Sequence, residues 1–108
     1  MKNFMLLYMS SANADSHRAK LSPEEMEKMM APWTAWFTKH ASNVVEKGNP
    51  LGAGYHMTAA EGTPSTYGLN GYSIVKAEKI EDLKEMLSDH PYSMMPGGAV
   101  EVLEIMSM

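Results

Sequence analysis

An α+β domain whose strands and helices run β-α-β-β-α-β is what this sequence predicts, on three observations. Asn3 to Met9 is a near-continuous apolar run, the composition of a strand buried on both faces and therefore central in its sheet. Ser22-Pro23-Glu24-Glu25 opens a long stretch with helical spacing of apolar residues. From Asn70 to Met106 the chain reads strand, helix, strand.

Taken in order, the first strand is followed by a polar loop from Ser10 to Lys20. Ser22 has the hydroxyl of an N-cap, Pro23 suits the first helical position, and Glu24 and Glu25 face the positive end of the dipole. Glu25, three residues after Ser22, completes a capping box. The apolar stripe is Met26, Met29, Met30, Trp33, Phe37, Ala41 and Val44, with Trp36 and His40 at its edge, so the helix is expected to reach about Val45. Pro32 removes one backbone bond, to Lys28, and is expected on the solvent side, bending the helix around the sheet. Gly48-Asn49-Pro50 ends the element.

Leu51 to Thr58 reads as a weaker, glycine-interrupted strand near a sheet edge, and Ala60 to Gly68 as the turn beyond it. Gly71-Tyr72-Ser73-Ile74-Val75 is the third strand. Glu78 to Ser88 returns to helical spacing, with Ile80, Leu83 and Leu87 on one face. After Pro91, Pro96, Gly97 and Gly98 the last strand runs from Ala99 to Ile105.

This order is the split βαβ, or ferredoxin-like, arrangement: a four-stranded antiparallel sheet with the first and third strands central and two helices on one face. The other face is left bare, lined by Met5, Leu7 and Met9 or else by Phe4, Leu6 and Tyr8. A soluble monomer rarely leaves such a surface in water, and a second copy is its simplest cover, so a homodimer is expected.

At 108 residues the chain fits one domain, 1–108, and its 44% hydrophobic and 20% charged content is ordinary for a globular protein. The net charge is -4, and Lys76, Lys79 and Lys84 each sit beside acids, so neither nucleic acid nor a membrane surface is an expected partner. With no cysteine there is no disulfide, thiolate nucleophile or Cys-ligated metal. The apolar run Phe4 to Met9 is too short for a signal segment or a membrane span, and a cytoplasmic location is the expectation. Met26, Met29 and Met30, with Met94-Met95, have spacing that could suit Cu(I). Flexible thioethers filling core gaps account for the 12 methionines more simply, so no metal and no cofactor are expected.

The opening Lys2-Asn3-Phe4-Met5-Leu6-Leu7-Tyr8 resembles the first strand of the YCII-related (DGPF-domain) proteins. So do Pro23-Glu24-Glu25-Met26, Trp33 with Trp36, and Gly48-Asn49-Pro50-Leu51. Gly71 to Val75, His90-Pro91, and Gly97-Gly98-Ala99-Val100-Glu101-Val102 complete a likeness that spans the chain. The resemblance implies a ferredoxin-like fold paired as a dimeric α+β barrel. The Asp-Gly-Pro-Phe tetrapeptide is absent, Thr63-Pro64-Ser65-Thr66-Tyr67-Gly68 standing in that region, as in a short variant. The early-helix histidine of some relatives is absent too, so no His-Asp proposal carries over by motif.

Four histidines are the natural carriers of chemistry near neutral pH. His17 lies in the polar loop, and His90, after Asp89 at the end of the second helix, suits a cap facing the dipole. His40, beside the Trp33 and Trp36 edge, and His56, beside Tyr55 with Gly52 and Gly54 leaving room, are the candidate catalytic bases. Trp33, Trp36, Tyr55 and Tyr72 are the candidate lining of a small ligand pocket. Glu101 and Glu104 fall on opposite faces of the last strand and make no catalytic pair. Two functions fit: a dimeric module that binds a small apolar or aromatic molecule or assists another protein, and a cofactor-independent isomerase, lyase or monooxygenase with a histidine base.

Overall fold

The computed structural model describes residues 1–10, 22–52, 54–64, 68–94 and 97–107. Among them the chain forms β1 (Lys2–Ser10), α1 (Pro23–Lys39), β2 (Val44–Glu46), β3 (Tyr55–Met57), β4 (Gly62–Pro64) and β5 (Leu69–Ala77). It continues with α2 (Ile80–Met86), a 3-10 turn (Leu87–Asp89), α3 (Pro91–Met94) and β6 (Gly98–Glu104). Four strands make one antiparallel sheet in the order β2-β5-β1-β6, and β3 and β4 form a separate antiparallel pair.

The α+β class and the four-stranded antiparallel sheet are as expected, but the element order departs from a plain βαββαβ, and a third short helix, Pro91–Met94, joins the two expected. The stretch Leu51 to Thr58 does not supply the second sheet strand. Val44–Glu46 does, pairing Val44 with Val75. Helix α1 therefore stops at Lys39, capped by His40, rather than running on to Val45. Two causes combine: β-branched Val44 and Val45 favour a strand, and Asn43 clasps β5. The Asn43 amide side chain donates to Lys76 O at 3.0 Å, and the Lys76 N–H donates to Asn43 O at 2.8 Å. Gly62 to Pro64, expected as turn, instead supplies the second strand of the hairpin. Thr58 closes that hairpin, its hydroxyl accepting from the amides of Ala60 and Glu61.

Helix α1 begins as its sequence dictates. The Glu25 N–H donates to Ser22 Oγ at 3.2 Å, the Ser22 N–H reaches Glu25 Oε1 at 3.4 Å, and Pro32 is exposed within the helix. The loop from residue 11 to 20, His17, and the turn residues 65–67 lie outside the described residues, as does Met95.

The two alternatives for the sheet faces are resolved by burial. Phe4, Leu6 and Tyr8 of β1 join Val75 and Ala77 of β5 beneath Trp36, Leu83, Met86 and Leu87 of the helical layer. Met5, Leu7 and Met9 face the other way. There they stand in register with Ile74, Tyr72, Leu103 and Glu101. Among the described residues no helix covers this second face, where Leu103 is 51% exposed. No helix is long and apolar enough to cross a membrane among the described residues.

Between Tyr8 and Met9 the β1–β5 register slips, Tyr8 pairing with Gly71 and Met9 with Leu69. Asn70 is the extra residue of this bulge, which re-aims its side chain toward the helical layer.

Candidate functional site

The end of the sheet carrying Tyr8 and Asn70 gathers the chemistry of the chain. Tyr8 points into the helical layer because it shares the parity of Phe4 and Leu6. Trp33 and Trp36 come from α1, and the 3-10 turn after α2 swings His90 inward. The imidazole of His90 is fully buried. It stacks on Tyr8 at 5.0 Å between ring centres and meets Trp33 edge-on at 4.7 Å and Trp36 at 4.5 Å.

The buried polar groups have specific partners. Tyr8 OH donates to Ser73 Oγ at 2.7 Å, and Ser73 donates onward to the Lys47 carbonyl at 2.6 Å. Burial raises the Tyr8 pKa to about 12, the Ser73 hydrogen bond opposing the rise. Asn70 Nδ2 reaches Tyr92 OH at 2.5 Å and Ser10 Oγ at 2.6 Å. The Tyr92 N–H donates to His90 Nδ1 at 3.0 Å, so the neutral ring carries its proton on Nε2. That Nε2 has no hydrogen-bond partner among the described residues. Desolvation pushes the His90 pKa down to about 4, against the attraction of Asp89 and with the repulsion of His40.

A second group lies beside it. Asp89 pairs with Lys39, and His40 Nε2 stands 3.5 Å from Asp89 Oδ1, close enough for charge attraction and too far for a good hydrogen bond. The Lys39 ammonium holds the Asp89 carboxyl below the usual carboxylate range. His40 also leans on Trp36, with ring centres 4.8 Å apart. Among the described residues, no three His, Asp or Glu side chains are placed to hold a metal ion. The His90 tautomer agrees, since Nε2 offers a proton where a metal needs a lone pair.

Of the residues singled out in the sequence, the structure brings together Trp33, Trp36 and His40. Tyr55 and His56 stand apart on the exposed β3–β4 hairpin, Tyr55 at 67% exposure and His56 opposite Thr63. Tyr72 is on the uncovered face, its hydroxyl donating to Glu46 at 3.0 Å. His90, a cap by its sequence context, does cap the 3-10 turn, its N–H donating to Leu87 O at 3.1 Å, and its ring lies at the centre of the cluster. Sequence spacing singles out neither Tyr8, Tyr92 nor Asn70 as site residues. The parity of Phe4, Leu6 and Tyr8 is the available signal for Tyr8. No comparable signal marks the bulge that turns Asn70 inward.

Chemically, the cluster offers aromatic surfaces, two phenols, an amide and a neutral imidazole whose acceptor nitrogen is taken by Tyr92 and whose remaining group is a donor. His40 with Asp89 is the one arrangement among the described residues of the cluster in which a carboxylate stands beside a histidine able to act as base. These features define a small α+β domain with a histidine enclosed in an aromatic core. In comparisons with known proteins no family model matches the chain, and no curated protein matches it.

Proposed function

We propose that the chain forms a homodimeric, YCII-related domain that binds a small apolar or aromatic molecule or acts as an accessory module beside another protein. The observation that carries the reading is the uncovered sheet face with Met5, Leu7, Met9, Ile74 and Leu103. Apolar area of that extent favours a partner, and a second copy offers the same surface in return. The ferredoxin-like frame is part of the proposal, with the β3–β4 hairpin as an insertion. Its support is that β5 lies between β1 and β2, as a split βαβ unit requires. For the ligand, the support is the grouping of Trp33, Trp36, Tyr8 and Tyr92 with hydrogen-bonding groups among them.

Sedimentation at micromolar concentration tests the dimer: a mass twice 11.9 kDa is expected, and a monomer overturns it. Tryptophan fluorescence titrated with a panel of aromatic acids and quinones tests the ligand, a saturable change being expected. A flat response to the whole panel removes the small-molecule half of the proposal and leaves the accessory module.

One observation favours the second reading, a cofactor-independent enzyme with a histidine base. His40 has a half-buried ring beside the Asp89 carboxylate, the pairing that orients a general base. On this reading His40→Gln abolishes turnover of an aromatic substrate and leaves its binding intact.

A further inference from the structure

We infer that the segment from Met86 to Tyr92 is an acid-released latch: protonation of His90 frees it from α1 and β1 and uncovers Trp33, Trp36 and Tyr8. Four ties hold the segment. Trp36 Nε1 donates to Met86 O at 3.1 Å, Asp89 pairs with Lys39 and faces His40, Asn70 holds Tyr92 OH, and the His90 ring fills the space between Tyr8, Trp33 and Trp36. His90 is central to the other three and is the one that acid changes most.

The geometry tolerates only the neutral ring. Nδ1 accepts the Tyr92 N–H, so a proton added there sets two donors against each other across 3.0 Å. Nε2 has no acceptor among the described residues to share a positive charge. Burial opposes that charge from every side.

Each element packed against the ring contributes its own groups. Asp89, on the same turn, attracts a cation, but its carboxylate is already paired with Lys39 of α1. His40, at the C-cap of α1, repels one. Tyr8 of β1 is an uncharged phenol up to about pH 12, and Trp33 and Trp36 present neutral rings. Tyr92 of α3 offers its N–H, the wrong polarity. The faces of Tyr8 and the tryptophans give some cation–π attraction, yet the net effect of the site is a pKa of about 4. Asp89 does not assist: the Lys39 ammonium holds its carboxyl below the usual carboxylate range, so the ion pair to Lys39 is still made when the ring takes up its proton.

Met86, Leu87 and Tyr92 leave the core with the latch, while Phe4, Leu6 and Val75 of the sheet and Leu83 of α2 are fully buried apolar side chains with nothing to titrate.

The test is an acid titration of the whole chain from about pH 7 to about pH 2, spanning the ordinary and the lowered imidazole range and the acid side of both. Acrylamide quenching of tryptophan is expected to rise several-fold across it, while the far-ultraviolet circular dichroism of the sheet persists. In His90→Gln, whose side-chain oxygen still accepts the Tyr92 N–H and never titrates, the quenching transition is expected at least one pH unit lower. Equal transitions in the two proteins overturn the latch, and so does loss of the sheet signal together with the quenching. If the variant does not fold, the His90 ring resonance in the unmodified protein decides. A titration near 6.5 with tryptophan environments unchanged overturns the proposal, and protonation coincident with tryptophan exposure upholds it.

Discussion

Trp36 donates its indole N–H to the carbonyl oxygen of Met86 at 3.1 Å, and so joins the last turn of α1 to the end of α2. Met86 is also the N-cap of the 3-10 turn, whose first backbone bond its carbonyl accepts, so the indole is a second donor to one oxygen. Trp36→Phe retains most of the aromatic volume and removes that second bond. We expect a loss of about 0.5–1.5 kcal/mol in urea unfolding, the net worth of one hydrogen bond. Trp36→Ala is expected to lose about 3–5 kcal/mol, because the cavity is added to the missing bond.

Tyr8 makes one contribution to stability that depends on alkaline pH. Its pKa is about 12 in the folded protein against an ordinary 10.0, so between these values the unfolded chain releases a proton that the native state retains. The contribution is fully present below pH 10 and is lost as pH rises toward 12, by about 3 kcal/mol in all. Tyr8→Phe should flatten this part of the profile. The absorbance of tyrosinate, followed alongside denaturant midpoints at several alkaline pH values, checks it.

Gly48 and Gly54 make a contrasting pair. Gly48 has φ +77°, and a Cβ placed on it would stand 1.8 Å from the Tyr72 carbonyl oxygen. Both the backbone conformation and the contact with a sheet strand exclude a side chain, so Gly48→Ala is expected to cost about 3 kcal/mol or more. Among the described residues, its chain neighbours aside, Gly54 has no atom within 4 Å of such a Cβ, and Gly54→Ala should change stability by less than about 1 kcal/mol. Thermal unfolding of the two variants side by side measures the difference.

The centre of the uncovered sheet face is Leu7, in register with Tyr72 on one side and Glu101 on the other. Leu7→Lys puts a charge where the proposed dimer needs apolar contact. The expected outcome is a folded protomer with its circular dichroism unchanged and its sedimenting mass halved. A folded variant that retains the wild-type mass would move the interface elsewhere.

How much of this is legible in the sequence depends on the range of the interactions. The capping box at Ser22 and Glu25, the central place of β1 and the two long β-strands of the final third are written in local spacing, and they appear where expected, although β1 is buried on one face rather than both. The second sheet strand is not. Val44 and Val45 continue the helical stripe as readily as they start a strand, and the decision rests with Asn43 gripping Lys76, 33 residues away. His90 fails to stand out for a similar reason. Asp-His-Pro-Tyr at a helix end reads as a cap, and only the packing of Tyr8, Trp33 and Trp36 from two other elements turns the ring into the core.

The bulge at Asn70 governs where this chain can change length. Beyond it, Gly71, Ser73, Val75 and Ala77 alternate toward the helices, so one residue gained or lost within that run swaps inward and outward sides for the rest of the strand. Between Met57 and Gly62 the hairpin turn is exposed and pairs with nothing in the main sheet, and extra residues there leave that alternation untouched. Descendants of this sequence should therefore vary in length at the hairpin tip and remain invariant in spacing from Asn70 to Ala77, a pattern of indels imposed by the pleat itself.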